Sequence, residues 1–212
     1  MDVSVDEHAD ADMRVSCWDG ASDETLQAAL AYPVRRCMEV DIIDGGNDRA
    51  DREPAAGDRL SLLVTTRSAY RHSIVRTFVE GLSKRLPLTE DLKIRISSAA
   101  QEALMNAVLH GNLAIDGELR GSLDGLIAAQ EIIEAKLNSP EIGGAVIRLD
   151  AAWTAACVEI TIRDSGDGYD YSGVRPAAED GASGRGLEIL QVFSDAVTVL
   201  NGGTTVRLEF HR

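Results

Sequence analysis

The spacing of hydrophobic residues changes several times along this chain between the helical and the strand period. Apolar residues at helical spacing predict five helices: 22–31, 68–86, about 90–110, 123–138 and 185–194. Shorter apolar or alternating runs predict six strands: 37–43, 60–66, 144–151, 156–163, 196–200 and 204–210. Helices followed by paired strands predict an α+β sandwich with one mixed or antiparallel sheet.

Cap and turn residues support several of these boundaries. Ser22 is a candidate N-cap for the first helix, and Thr89 is a candidate N-cap for the third. Pro33 and Pro140 follow the ends of two predicted helices, where proline cannot continue the helical hydrogen bonds. The sequence NGG between the last two strands predicts a hairpin turn.

The helix predicted at 90–110 carries two different stripes of side chains. The first stripe is apolar and is predicted to be buried: Leu92, Ile96, Ala99 and Ala103. The second stripe is polar and lacks Lys and Arg: Ser98, Glu102, Asn106 and His110. Leu104, Met105 and Leu109 border this polar stripe. It is therefore either a solvated helix face or the lining of an enclosed site.

Composition narrows the classes of function. The chain has 212 residues, of which 44% are hydrophobic, and its formal net charge is −14. An acidic surface repels nucleic acid and anionic membranes, so neither is predicted as a partner. No apolar run approaches the roughly 18–20 residues of a membrane span, and the acidic N-terminus is unlike a signal peptide. These features predict a cytoplasmic protein.

The acidic charge is concentrated before residue 60. Residues 1–59 carry 15 acidic and 6 basic side chains, whereas residues 60–212 carry 20 and 15. The start of the chain has few large apolar groups and predicts disorder, and 45–59 combines Gly, Pro and alternating charge like a linker. The predicted organisation is an acidic N-terminal extension, 1–59, and a folded domain, 60–212.

Two glycine-containing segments follow predicted elements in the second half of the chain. In VEITIRDSGDGYD, a strand runs into Asp164, Gly166 and Gly168, where missing side chains allow the backbone to approach a planar ligand. A simple Asp/Gly turn is the alternative. In GASGRGLEILQVFSD, a glycine-rich loop opens a helix, whose N-terminal amides can hold phosphate oxygens. This loop is neither a P-loop nor a dinucleotide fingerprint.

The order of these motifs resembles the GHKL superfamily of ATP-binding domains. ExxxNxxxH on a helix, DxGxG at a strand end, GxGL opening a helix and the final GGTTVRLEF look like its N box, G1 box, G2 box and closing strand. The resemblance covers about 60–212 and implies a Bergerat-type fold, a two-layer sandwich with a mixed sheet and helices on one face. EALMNAVLHGN and GRGLEILQVFSDAVTVLNGGTTVRLEF look most like the anti-sigma-factor serine/threonine kinases of bacterial partner switching.

The resemblance implies roles for the N-box residues. Asn106 would coordinate Mg²⁺ bridging the ATP phosphates, because Mg²⁺ prefers oxygen ligands. Glu102, one helical turn earlier, would act as general base toward a Ser or Thr hydroxyl. His110 would be structural.

The resemblance also implies roles in the other boxes. Asp164 would accept a hydrogen bond from the adenine amino group, and Gly166 and Gly168 would leave room for the base. Thr205 would support the adenine pocket. The residues that would wrap the phosphates after a lid at about 169–183 are Gly184, Arg185, Gly186 and Leu187.

Three features depart from the family pattern. Related kinases often carry Arg in the lid before the Ser-Gly of the G2 box, where this chain has Ala182; Arg185 and Arg175 are candidate substitutes. The segment 112–143 is longer than in a minimal domain and adds a helix at 123–138, which we expect to form a partner or lid-proximal surface outside the core. Residues 1–59 have no recognised counterpart.

The expected activity is a serine/threonine kinase and binding switch that uses ATP and Mg²⁺. Its expected client is an STAS-domain antagonist of an anti-sigma factor, with a sigma factor or other effector as a second partner, and a homodimer is left open. Two alternatives are retained: a non-catalytic module whose binding is gated by ATP, and a detached catalytic domain of a histidine-kinase pathway. The one upstream phosphoacceptor candidate, His72, lacks the acidic residue that usually follows.

Overall fold

The computed structural model describes residues 14–44, 58–115, 123–168 and 185–212 of the chain. Its strands are β1 (Val15–Trp18), β2 (Arg36–Glu39), β3 (Arg59–Thr65), β4 (Val146–Trp153), β5 (Cys157–Arg163), β6 (Ala196–Leu200) and β7 (Thr205–His211). Its α-helices are α1 (Asp23–Ala29), α2 (Val40–Asp44), α3 (Thr66–Arg71), α4 (Ile74–Ser83), α5 (Glu90–Asn106), α6 (Leu123–Asn138), α7 (Pro140–Gly143) and α8 (Arg185–Phe193).

The strands form one mixed sheet in the order β1-β2-β3-β4-β5-β7-β6. β1, β2 and β3 run parallel, and every later pairing is antiparallel. β5 pairs with β7 from Cys157↔His211 to Arg163↔Thr205, so the end of β5 lies beside the start of β7. The predicted α+β sandwich with a mixed sheet is confirmed.

The main core lies between one face of this sheet and the long helices. Alternate residues of β5 enter it, because side chains of a strand point to opposite faces in turn: Val158, Ile160 and Ile162. The predicted apolar stripe of α5 is buried in the same core: Leu92, Ile96, Ala99 and Ala103. A smaller cluster of Met38, Ile42, Leu63 and Val146 is separate from this core and includes α2.

The helix predicted at 68–86 is instead two helices, so that prediction is wrong in its continuity. α3 ends before His72, whose backbone is extended at φ −113° and ψ 159°. Asp23 Oδ1 lies 3.2 Å from His72 Nδ1 and accepts a hydrogen bond from Ser73 N at 3.1 Å. A distant carboxylate therefore holds the break between the two helices. Local periodicity could not reveal this contact.

Residues 14–44 extend the sheet by two strands, one of which the sequence pattern did not predict. β1 has only four residues, and β2 ends at Glu39 rather than continuing to residue 43 as predicted. α1 forms where predicted, and Ser22 accepts a hydrogen bond from Thr25 N as its N-cap. The predicted boundary at residue 60 thus lies within one sheet. Whether residue 60 separates two units of different function stays a prediction. Most of the predicted linker, 45–59, lies outside the described residues.

The carboxylate of Glu39 joins the N-terminal strands to the rest of the sheet. Glu39 is only 4% exposed. It accepts hydrogen bonds from Thr65 N at 2.7 Å, Thr65 Oγ1 at 3.1 Å and Ser68 Oγ at 2.7 Å. A buried carboxylate is tolerated where such donors replace its water, so Glu39 serves as a structural anchor at the start of α3.

The inserted helix α6 spans the predicted residues, but it is not confined to the surface as predicted. Ala129, Ile133 and Leu137 are buried, and the last two belong to the main core. Arg67 Nε donates to Leu137 O at 2.9 Å, which ties the end of α6 to α3. The expectation that α6 lies outside the core is therefore wrong for this face of the helix.

Within the described segments, no helix combines the length and the apolar character that crossing a membrane requires.

Candidate nucleotide-binding site

The end of the N box is a π-helix rather than the predicted continuation of the α-helix. α5 passes into a π-helical turn, Ala107–Asn112, in which Leu113 N donates to Val108 O at 2.9 Å. Such wider turns occur frequently at functional sites. Here the turn brings Gly111 and Asn112 against the G1-box loop at the end of β5.

Glu102 and Asn106 lie together at the start of α8. A Cβ atom added to Gly186 would lie 2.4 Å from Glu102 Oε1 and 3.2 Å from Asn106 Nδ2. Only glycine fits this position without displacing one of the two side chains. The structure therefore brings the N box and the G2 box together, with a carboxylate and an amide side by side at a helix N-terminus.

Asp164 lies at the end of β5, where the strand meets the N box. Its Oδ1 accepts a hydrogen bond from Gly166 N at 2.9 Å. A Cβ atom at Gly111 would lie 2.6 Å from Asp164 Cγ, so the π-helical backbone packs directly on the carboxylate. Burial raises the pKa of Asp164, and the Gly166 amide only partly opposes this effect.

Close packing of neighbouring backbone atoms requires glycine at the positions of Gly166 and Gly168. A Cβ atom at Gly166 would lie 2.5 Å from Gly111 O. Gly168 has a φ of +77°, which glycine adopts readily, and an added Cβ atom would lie 2.2 Å from Gly202 O. Gly168 therefore packs on the β6–β7 turn. The placement of an adenine base against Gly166 and Gly168 stays a prediction.

Thr205 lies beside this loop at the start of β7. It is buried, and its Oγ1 accepts a hydrogen bond from Asn201 Nδ2 at 3.1 Å. The preceding residue, Thr204, accepts a backbone hydrogen bond from Asp164 N at 3.0 Å. Thr205 is thus close to Asp164 in the fold, as a pocket-supporting residue requires.

The remaining predicted phosphate-binding residues are only partly described. Leu187 is partly buried and packs against the main core, so its side chain serves the packing of α8. Arg185 begins α8, but its side chain is outside the described atoms. Gly184, Ala182, Arg175 and the predicted lid at 169–183 lie outside the described residues, so these assignments stay predictions.

Two histidines have structural contacts. His110 Nδ1 lies 3.1 Å from Ile115 O, which holds the turn after the N box and agrees with a structural role. His72 contacts Asp23, and its ring lies edge-on to Trp18 with centroids 5.2 Å apart. Its side chain is 20% exposed. These contacts give His72 a role in packing residues 14–44 and do not favour its use as a phosphoacceptor.

Asn112 is a site residue that the motif assignment missed. Its Oδ1 accepts a hydrogen bond from Ser165 N at 2.8 Å, and its Nδ2 donates to Thr66 Oγ1 at 2.7 Å. The available signal was the Gly-Asn pair directly after His110. A sequence shows this pair beside the N box, but it does not show that the π-helical turn presents the pair to the G1 box.

The residues present fit an adenine nucleotide. Within the described part of the chain, Asp164 accepts one side-chain hydrogen bond and keeps Oδ2 for a further donor such as an amino group. Close backbone packing around Gly111 and Gly166 leaves that carboxylate in a fixed position. Among the described residues, no group of three or more His, Cys, Asp or Glu side chains is arranged so that it could hold a metal ion.

Comparison with known families agrees with this geometry. The family model of the histidine kinase-like ATPase domain matches residues 64–210, which include the N box, both glycine boxes and the closing strand. No curated protein matches the chain. Since the matched region is more than half of the 212 residues, the chain belongs to the histidine kinase-like ATPase family, whose domains bind ATP.

Proposed function

We propose that this protein is an ATP-dependent serine/threonine protein kinase that switches between partners. Family membership supports ATP binding, and the resemblance of EALMNAVLHGN and GRGLEILQVFSDAVTVLNGGTTVRLEF to anti-sigma-factor kinases supports the acceptor class. The observation that carries the proposal is the pairing of Glu102 and Asn106 at Gly186. A carboxylate beside the proposed Mg²⁺ ligand stands where a general base for the acceptor hydroxyl is needed.

The two side chains have different roles in this proposal. Asn106 would hold Mg²⁺ at the phosphates, and bound Mg-ATP supplies the phosphoryl group that is transferred. Glu102 would accept the proton of the attacking hydroxyl and orient its oxygen. Because the two residues are one turn apart on α5, a single rigid helix sets their relative position.

The acceptor we propose is a serine or threonine of an STAS-domain antagonist. The negative charge of a transferred phosphate would change how that protein binds, which is how phosphorylation alters an interface. A sigma factor or another effector is the second proposed partner. The acidic net charge of −14 is consistent with protein partners rather than nucleic acid.

One sequence feature favours a second candidate function. Ala182 stands where related kinases often have an Arg, and positive charge near transferring phosphate stabilises the charge that develops there. Without it, the protein would act as a binding module whose partner affinity depends on ATP. Glu102 would then have no catalytic use.

Transfer of labelled γ-phosphate to a purified STAS-domain protein encoded near the gene distinguishes the two candidates. Glu102→Ala should keep ATP binding and partner binding but reduce the transfer rate by about 10²–10⁴-fold, the usual contribution of a positioned base. Asn106→Ala should instead lose Mg²⁺-dependent ATP binding. The matched control is Glu90→Ala on the same helix, where the side chain is 83% exposed; it should transfer phosphate at the wild-type rate.

A wild-type protein that binds both ATP and the STAS partner but transfers no label would refute the kinase assignment. ATP-dependent partner affinity under the same conditions would then establish the binding module. Equal transfer rates for wild type and Glu102→Ala would remove Glu102 from the chemistry.

A further inference from the structure

Asn112 connects three separate elements beside Asp164. Its Oδ1 accepts from Ser165 N at 2.8 Å, in the loop after β5. Its Nδ2 donates to Thr66 Oγ1 at 2.7 Å at the start of α3 and lies 3.4 Å from Val146 O in β4. A side-chain amide accepts on its oxygen and donates from its nitrogen, so it can bond to an acceptor and a donor through two separate atoms. Asn112 is therefore matched to both partners.

Ser165 is the residue directly after Asp164, so its position fixes the backbone of the G1 loop. Ser165 Oγ also donates to Val146 O at 2.8 Å, and Asp164 N donates to Thr204 O at 3.0 Å. On the other side, Gly111 packs on the Asp164 carboxylate with no space for a Cβ atom. Asn112 thus belongs to the same π-helical turn that contacts the carboxylate, and it bonds to the loop that carries it.

We propose that Asn112 is a positioning residue that sets the base preference of the site by holding Asp164. The inference rests on the proposed contact between Asp164 and the adenine amino group. In this proposal Asn112 does not contact the base. Its hydrogen bonds fix the G1 loop relative to the π-helical turn, so that Asp164 Oδ2 stays where an amino donor can reach it.

The mechanism predicts a loss that depends on the nucleotide. Without the Asn112 side chain, Ser165 N loses its acceptor and Thr66 Oγ1 loses a donor, so the G1 loop gains freedom. A nucleotide that donates to Asp164 loses affinity as a result. A nucleotide without that donor does not, because it never used the carboxylate. A general weakening of the fold would affect both nucleotides equally.

The experiment compares ATP with purine riboside triphosphate, which lacks the amino group, by calorimetric titration in the presence of Mg²⁺. Asn112→Ala should bind ATP about tenfold more weakly, the scale of one net hydrogen bond, and should bind purine riboside triphosphate as the wild type does. Asn138→Ala is the matched control, since Asn138 is exposed at the end of α6. It should leave both affinities unchanged.

A double variant shows whether Asn112 acts through Asp164. Asp164→Asn should also lose the preference for ATP, and adding Asn112→Ala to it should cause no further loss, because residues that act through one contact are not additive. Asn112→Asp keeps an oxygen for Ser165 N and should restore part of the preference. Should Asn112→Ala fail to fold, Thr66→Val removes the second partner of Asn112, and it should lower the same preference.

The outcomes separate this inference from the proposed contact between Asp164 and the adenine amino group, and none of them depends on phosphoryl transfer. Equal losses for both nucleotides in Asn112→Ala would make Asn112 a merely structural residue and overturn the inference. The inference would also be overturned if Asp164→Asn lost the whole preference for ATP while Asn112→Ala and Thr66→Val lost none. The proposed role of Asp164 would stand in that case. If the wild type binds both nucleotides equally, the contact between Asp164 and the amino group fails, and this inference fails with it.

Discussion

The carboxylates of Glu39 and Asp164 both lie at strand ends and are shielded from water, but they differ in the hydrogen bonds that they accept from the protein. Glu39 is 4% exposed and accepts three hydrogen bonds from Thr65 and Ser68. Asp164 is partly buried, and among the described residues its side chain accepts one, from Gly166 N. Burial raises the pKa of Asp164 and dominates over that hydrogen bond.

The difference shows how a buried carboxylate can be assigned to structure or to ligand binding. At Glu39 the donors of Thr65 and Ser68 replace the lost water, so the carboxylate is satisfied by the protein itself. At Asp164 the hydrogen bond from Gly166 N offsets the cost of burial only in part, and no described residue donates to Oδ2, as a ligand-binding carboxylate requires. The same residue chemistry therefore stabilises the sheet in one place and prepares a binding site in the other.

The largest effect that sharpens this comparison is expected from Glu39→Ala. The substitution leaves buried donors of Thr65 and Ser68 without an acceptor, and we expect it to lower the free energy of unfolding by about 3 kcal/mol. Urea denaturation followed by circular dichroism measures this loss. ATP affinity of the folded fraction should change less than it does in Asp164→Asn, because Glu39 bonds to Thr65 and Ser68 and not to Asp164 or its loop.

Glu141→Ala is the control for that measurement, since Glu141 is exposed on α7. A Glu39→Ala protein as stable as the control would contradict the structural role of Glu39. A loss of ATP affinity in the folded Glu39→Ala protein as large as that in Asp164→Asn would remove the contrast between the two carboxylates.

A smaller effect of opposite sign is expected for Asp164→Asn in the absence of nucleotide. Burial raises the folded-state pKa of Asp164 above its ordinary value of 3.8. The stability that the protonated Asp164 carboxyl contributes is therefore fully present below pH 3.8, and it is lost as pH rises through the raised pKa. The ionised group thus destabilises the empty protein at neutral pH. Asp164→Asn should be slightly more stable than wild type at pH 7 and show no such gain near pH 3, by urea denaturation at both values.

A decrease in the stability of Asp164→Asn at pH 7 would contradict this account. It would mean that the carboxylate, like that of Glu39, is held chiefly by the protein's own donors.

Much of the fold follows from short-range patterns in the sequence. The apolar stripe of α5 and the alternation in β5 both proved to be buried. The break at His72 was not predictable from local pattern, because it depends on Asp23, 49 residues away in the chain. β1 was missed because a strand of four residues carries too little alternation to be recognised, and its pairing with β2 is a long-range choice.

Only part of the candidate site could be predicted from the sequence. Motif order placed Glu102, Asn106 and Asp164 in one site, and the structure brings the first two to Gly186 and the third to Gly111. The role of Asn112 was not predictable, because it depends on the π-helical turn, in which an extra residue per turn redirects the side chains that follow. The buried face of α6 was likewise hidden, since its apolar residues fit either a core or a docking surface.

The central claim is that the carboxylate of Asp164 is kept available for an adenine base. Calorimetric titration of Mg-ATP into wild type and Asp164→Asn at pH 7 tests this claim most directly. We predict that Asp164→Asn binds ATP more weakly by at least ~1–2 kcal/mol, the scale of a hydrogen bond to a charged group. Equal affinities in the two proteins would contradict the claim and remove Asp164 from the nucleotide site.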